Sequence, residues 1–364
     1  AAGRGKPAPG PAALGSGNTS WSTTRVLRGA SVGLGNVAVH AHLPGWAGRD
    51  DVEIVAATDA DRARRAELET RLPAARWHDS ADDLLERERP DFVDICTPPG
   101  THAALIQGAL RRGAHVLCEK PLVPSLEELD AVRRLASETG RVLVTVHNWR
   151  HAPILRHVDE LVQRGEIGRL RRVLWQTLRV EPAGNGGAST WRADPAMAGG
   201  GILADHGWHA FYLLQQWTGQ PPIGISARLE TRRHIGWPVE DTATTRLEFP
   251  DATAEVFLTW ASPERRNRVE LEGTRGTIHV EDDLLVLRPA DPDGRERRWV
   301  YRPALSNGSY HPDWFEGVAA EFVAEVTGSA ARGANLRVAS LCVLLQALAR
   351  ESSRRSGHVL PVGA

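Results

Sequence analysis

The apolar positions of this chain fall into two textures, and the change comes near residue 148. From Thr24 onward, short apolar runs alternate with stretches of helical period. Residues 26–32, 52–58, 92–96, 114–118 and 142–146 read as strands, and the later runs are continuous enough to be buried on both faces. Between them lie a helical stretch to about residue 42 and helices at 61–71, 101–111 and 125–139. Strands alternating with helices of this length predict a parallel sheet covered on both sides. The first run is the least regular, because Arg28, Gly29 and Ser31 make it polar for a buried strand.

Beyond residue 148, a helix at 153–164 leads into runs at 171–180, 242–249, 254–260 and 268–272. These mix apolar with polar positions, the pattern of an antiparallel sheet with one wetted face. A last helix is expected at 335–352, and there is no internal repeat. The expected organisation is a disordered tail at 1–24, a nucleotide-binding domain at 25–147, and a substrate-binding and oligomerisation domain at 148–364. The last helix is expected to pack back toward the first domain.

Composition narrows the function. A net charge of −1 gives no general attraction to nucleic acid or to an anionic membrane. No apolar run reaches the roughly 18 residues of a membrane span. The tail is mostly Ala, Gly, Pro and Ser without the apolar centre of a secretion signal. Cys96, Cys118 and Cys342 are too few and too scattered for a disulfide framework or a thiolate zinc site, and read as reduced residues of a cytoplasmic protein. Of 44 basic residues only Lys6 and Lys120 are lysine. Arginine fills nearly every place where a cation is wanted, so the one lysine outside the tail is a candidate for chemistry: lysine, unlike arginine, can give up its proton near neutral pH.

Gly33-Leu34-Gly35-Asn36-Val37-Ala38 matches G-x-G-x-x-G/A between a strand and a helix. In that setting the first glycine permits the tight turn, the second lets a pyrophosphate approach the backbone, and Ala38 allows close helix packing. Gly33, Gly35, Asn36 and Val37 are therefore candidate cofactor contacts. Asp59 follows the second strand at the spacing of a ribose-binding carboxylate and would repel a 2′-phosphate, which favours NAD over NADP. Arg62, Arg64 and Arg65 are read as a solvated helix face. Thr97 and Pro98, in the turn after the third strand, border the expected cofactor site, with His102 just beyond.

Glu119-Lys120-Pro121 stands at the end of another strand, on the edge where open α/β sheets bind ligands. Further on, Gly199-Gly200-Gly201 leads to Asp205, His206 and His209. If a helix begins near Gly201, Asp205 and His209 share a face, and the carboxylate can orient the imidazole as a general base. His206 is turned away from that pair. A metal held by Asp205 and His209 lacks a third ligand, so no metal is expected.

Taken in order, Gly33-x-Gly35-x-x-Ala38, Glu119-Lys120-Pro121 and Gly199-Gly200-Gly201 with Asp205-x-Gly207-x-His209 resemble the Gfo/Idh/MocA oxidoreductases over nearly all of the chain after the tail. That family includes inositol dehydrogenases and glucose–fructose oxidoreductase. The resemblance implies an α/β protein: a Rossmann domain followed by an α/β domain with an open, mostly antiparallel sheet whose outer face joins subunits into a homodimer or homotetramer. It also implies that Lys120, Asp205 and His209 are catalytic and that Glu119 lies near the nicotinamide ribose. Asn148, Trp149 and Arg150 fall where the family has an active-site segment. With Trp191, Arg192 and His206 they are the expected substrate contacts, the tryptophans covering the apolar face of a sugar ring.

The expected activity is NAD-dependent oxidation of a secondary alcohol on a sugar or cyclitol, with a small polyol as the only expected partner besides other copies of the chain. A redox-neutral hydrolase or epimerase using NAD transiently is a second reading. A non-catalytic NAD sensor is a third, and it leaves Lys120, Asp205 and His209 unexplained.

Overall fold

The structure is a computed structural model that describes residues 25–183 and 191–363. The tail expected at 1–24 lies outside the described residues.

Six strands form the first sheet: β1 (Leu27–Val32), β2 (Val52–Thr58), β3 (Arg76–Trp77), β4 (Phe92–Ile95), β5 (His115–Cys118) and β6 (Leu143–Thr145). Their order is β3-β2-β1-β4-β5-β6 and every pair is parallel. This is the doubly wound arrangement, in which the connections change direction between β1 and β4 and leave a crevice outside the carboxyl ends of the strands. The polar first strand fits for local reasons. A side chain at Gly29 would overlap the Phe92 ring, and the Arg28 guanidinium leaves the sheet to bond the Glu88 carbonyl at 2.9 Å.

Nine strands form the second sheet: β7 (Leu170–Leu178), β8 (Gly224–Glu230), β9 (Thr242–Glu248), β10 (Thr253–Thr259), β11 (Arg266–Gly273), β12 (Gly276–Glu281), β13 (Leu284–Pro289), β14 (Arg297–Val300) and β15 (Leu360–Pro361). The order is β14-β13-β12-β11-β7-β10-β9-β8-β15. Only β7 and β10 are parallel; the other neighbours are antiparallel. Several of these strands alternate buried with exposed positions, as in β9 and β11.

Two helices from the second half return to the first sheet. Helix Pro312–Thr327 places Phe315, Val318 and Phe322 against Trp46, Ile54, Phe92 and Val144, which closes one face of the parallel sheet. Helix Ala334–Arg354 carries Asn335 in its first turn, whose side-chain oxygen accepts from the Thr145 N–H at 2.8 Å and whose amide donates to the Thr145 carbonyl at 2.9 Å. Asn335 thus completes the backbone bonding of β6. The strands of the parallel sheet are all early sequence, but its covering layer and the bonding of β6 come from late sequence, which ties the sheet to the second half of the chain. Replacing Asn335 with Leu should cost about 2–4 kcal/mol, because two buried backbone groups lose their partners. Urea denaturation of the variant measures this directly.

Candidate active site

The turn after β1 is shaped by Gly33, whose φ of +93° is in the left-handed region and whose missing side chain would meet Cys96 and Thr97 at 2.9 Å. Beside Gly35 the space is open to at least 4 Å. The following helix starts as a wide π turn at Ala38–His42 and continues as Leu43–Ala47, with no side-chain hydrogen bond capping its first turn. Asn36 is exposed and Val37 half-buried. An open cradle at an uncapped helix N-terminus is the donor set a pyrophosphate requires. The half-buried Asp59 carboxylate accepts the Leu34 N–H at 2.6 Å and the Asp61 N–H at 2.8 Å, which fixes it beside the turn with lone pairs left for ribose hydroxyls. The residues present therefore fit NAD.

Thr97 and Pro98 are half-buried in the loop after β4. His102, expected to contact the cofactor, is instead wholly buried. Its ring nitrogens face the Thr97 carbonyl at 2.8 Å and the Pro121 and Leu122 carbonyls at 3.0 and 3.1 Å. It ties the loop after β4 to the loop after β5 and works behind the site.

Lys120 emerges from the end of β5 and crosses to the second half of the chain. Its Nζ donates to Asp205 Oδ1 at 2.6 Å and to the Asp205 carbonyl at 3.0 Å. Asp205 also has Arg192 Nε at 3.9 Å and His206 Nε2 at 3.8 Å. Burial opposes its ionisation, yet Lys120, His206 and Arg192 together hold its carboxyl well below the usual range. Lys120, Asp205, Trp191, Arg192, Gly201 and Trp260 line one cleft. Gly201 is required by contact: a side chain there would lie 1.8 Å from the Glu240 carbonyl, while the Glu240 carboxylate accepts the Gly201 and Leu203 N–H groups at 3.0 Å.

The expected pairing of Asp205 with His209 does not form. Residues Leu203–Gly207 make a wide π turn before the α-helix Trp208–Thr218, so positions four apart no longer share a face. His206, not His209, is the histidine beside Asp205. His209 is oriented by Tyr212, whose hydroxyl lies 3.1 Å from Nδ1 and also accepts the Trp149 N–H at 2.9 Å. The imidazole stacks on the Trp149 indole at 4.9 Å and 16°. Tyr212 was not anticipated, although its place three residues after His209 on a helix puts it on the same face.

Asn148 presents a buried Oδ1 with no partner among the described residues. Arg150 turns toward Glu321 at 3.6 Å, which ties it to helix Pro312–Thr327. The Arg192 guanidinium lies over the Trp191 ring at 4.2 Å. Trp149 is buried and Trp191 is exposed, so the first backs the imidazole and the second borders solvent. One group of three metal-capable side chains, His42, Asp94 and Cys96, also comes together among the described residues. It joins the π turn after the glycine loop to the end of β4.

Fold and site together define a dinucleotide-binding oxidoreductase. Residues 27–147 match the model of an oxidoreductase family with an NAD-binding Rossmann fold, and residues 155–279 match the GFO/IDH/MocA C-terminal domain. The chain belongs to the GFO/IDH/MocA oxidoreductase family. It is 30% identical over 244 residues to the D-glucoside 3-dehydrogenase of Escherichia coli, covering 63% of this chain and 69% of that one. It is 29% identical over 239 residues to the uncharacterized oxidoreductase YfiI of Bacillus subtilis, and the match spans 60% of each. A solved protein of gentamicin A biosynthesis in complex with NAD superposes with a TM-score of 0.79 at 25% identity, over 98% of this chain and 100% of that chain.

Three histidines around the cleft give the site a pH signature. Burial first, and then neighbouring cations, push His147, His206 and His209 well below the ordinary histidine range. In the unfolded chain they take up protons near pH 6.5. The unfolded state therefore binds more protons as pH falls, and stability falls with it. His42 is held well above the usual range and opposes this, but its contribution is complete once pH drops below about 6.5. The melting temperature should decline as pH is lowered from 6.5 to 5, and His209→Gln should reduce the slope.

Proposed function

We propose that the chain is an NAD-dependent dehydrogenase that oxidises a secondary alcohol of a sugar, sugar derivative or cyclitol. The observation that carries this reading is the Lys120–Asp205 pair at 2.6 Å, at the carboxyl edge of the parallel sheet and one turn of helix from a neutral, buried imidazole. The action of a relative on D-glucosides supports the substrate class. The placement of Asp59 beside the glycine turn favours NAD over NADP.

When bound, NAD supplies the hydride acceptor. The chain then has to hold the alcohol, accept its proton and stabilise the charge that develops on oxygen. His209 is fit to take the proton at Nε2, because burial keeps the ring neutral and Tyr212 fixes the other nitrogen. Lys120 donates a hydrogen bond to the same oxygen, and Asp205 keeps the ammonium aimed into the cleft. The unpartnered Asn148 Oδ1 accepts a second hydroxyl of the ring. Trp191 covers its apolar face. Overall a C–H hydride and an O–H proton leave the alcohol, giving a ketone, NADH and a protonated His209 that returns its proton to solvent.

The test is NADH formation by absorbance over aldoses, cyclitols and glycosides, repeated with NADP. At least one polyol should give NADH. With that polyol, Lys120→Met should lose at least about 100-fold in turnover while NAD affinity changes little. Turnover of the polyol without NADH would favour the redox-neutral enzyme. Full activity in Lys120→Met would remove the assignment of Lys120.

A further inference from the structure

Behind the site lies a buried ionic chain that the mechanism above does not use. His42 leaves the end of the π turn that follows the glycine loop. Its Nδ1 faces both oxygens of Asp94 at 3.0 Å, and its Nε2 faces Glu119 Oε1 at 3.1 Å. Asp94 also accepts the Trp46 indole N–H at 2.7 Å. Glu119 Oε2 accepts the Lys120 backbone N–H at 2.9 Å. The Cys96 thiol lies 3.2 Å from His42 Nδ1, and Phe315 stacks on the imidazole at 4.0 Å. His42, Asp94 and Cys96 are buried, and Glu119 is 8% exposed.

Both ring nitrogens face carboxylates, the arrangement in which an imidazolium donates on both sides, and against the penalty of burial Asp94 holds the ring pKa well above the ordinary histidine range. One cation between two carboxylates leaves a net charge of −1. Such a group is costly to bury unless every member is paired, and here every member is. The chain runs from the helix of the glycine loop to the backbone of Lys120. The pyrophosphate cradle lies at one end and the oxygen-holding lysine at the other. A dinucleotide held by its pyrophosphate at the cradle would bring its nicotinamide half toward Lys120, whose backbone N–H Glu119 accepts.

We propose that His42, braced by Asp94, is a positioning residue that fixes Glu119 as a permanent negative charge along the nicotinamide path and so favours the oxidised, cationic dinucleotide over the reduced one. This rests on the NAD reading of the cleft. It differs from a packing role in an observable way. A packing defect weakens NAD+ and NADH together, whereas loss of a charge acts on the nucleotide that carries the positive ring. His42 holds Glu119 ionised against the penalty of burial, so removing the imidazolium lets Glu119 take a proton and lose its charge. The three metal-capable donors in this cluster are satisfied by one another and by Trp46, so the same inference expects no bound metal.

The experiment is the dissociation constants of NAD+ and of NADH, measured separately by tryptophan fluorescence for the wild type, Glu119→Gln and His42→Gln, with metal content by mass spectrometry. In Glu119→Gln, which removes one negative charge from the cluster, NAD+ should weaken by about tenfold relative to NADH; in His42→Gln, where the lost imidazolium is offset by the proton that Glu119 takes up, it should weaken in the same sense by less, with no stoichiometric metal in the wild type. Glu119→Gln leaves His42 and Asp94 in place and carries the test if His42→Gln does not fold. Equal weakening of both nucleotides, an unchanged ratio, or one metal ion per chain would overturn the proposal. A wild type that binds neither nucleotide would instead overturn the NAD reading.

Discussion

The ion pair between Lys120 and Asp205 joins the end of a parallel strand to a π turn 85 residues later in the chain, and the site is organised around it. Both partners are mostly withdrawn from solvent, with side-chain exposures of 17% and 15%. Either charge alone in that place would be expensive, so each requires the other to be delivered to the right position. The parallel sheet delivers Lys120 to the carboxyl edge, beside the glycine loop. Gly201 and the Glu240 carboxylate deliver Asp205 by fixing the start of the turn that carries it. The two late helices that close over the first sheet hold these deliveries in register.

Burial, and after it the cations around Asp205, sets the condition of the histidines. Lys120, and in the case of His206 also Arg179 and Arg265, add to burial in keeping His206 and His209 neutral. His42, on the other side of the strand ends, meets two carboxylates and no comparable cation, and stays charged. One fold thus holds neutral and charged rings of the same residue type, separated by the sign of the charge that faces each. In the proposed reaction the neutral His209 is the base for the alcohol and the charged His42 steadies Glu119.

Much of the first domain was legible in the sequence because β2, β4, β5 and β6 are largely buried and read as nearly continuous apolar runs, whereas the polar β1 was placed by the glycine turn after it and the two-residue β3 was missed. The residues 52–58 expected as a strand are the observed β2. Less of the second domain was legible. β12 and β13 were missed although they alternate or bury most of their positions, because only tight turns separate them from their neighbours and from each other. Helix Pro312–Thr327 was missed although its buried positions Trp314, Phe315, Val318, Ala319, Phe322 and Val323 recur at helical spacing and Asp313, Glu316, Ala320 and Thr327 are exposed. The lysine deficit pointed at Lys120 without any motif. The i, i+4 argument failed at Asp205 because it assumes 3.6 residues per turn, and a π turn gives no reliable sign in composition. His102 and Arg150 lie in the expected neighbourhoods, but burial and the partner Glu321 are tertiary facts that spacing does not carry.

The central claim is that this cleft moves a hydride from a carbinol carbon to nicotinamide, with Lys120 holding the oxygen. Its most direct measurement is isotope transfer from a polyol carrying deuterium on the carbon that is oxidised, with the nucleotide product analysed by mass spectrometry. The account predicts one deuterium in the nicotinamide ring of the product from the wild type, and no labelled nucleotide above background from Lys120→Met. Conversion of the polyol with its deuterium retained or released to water would contradict it.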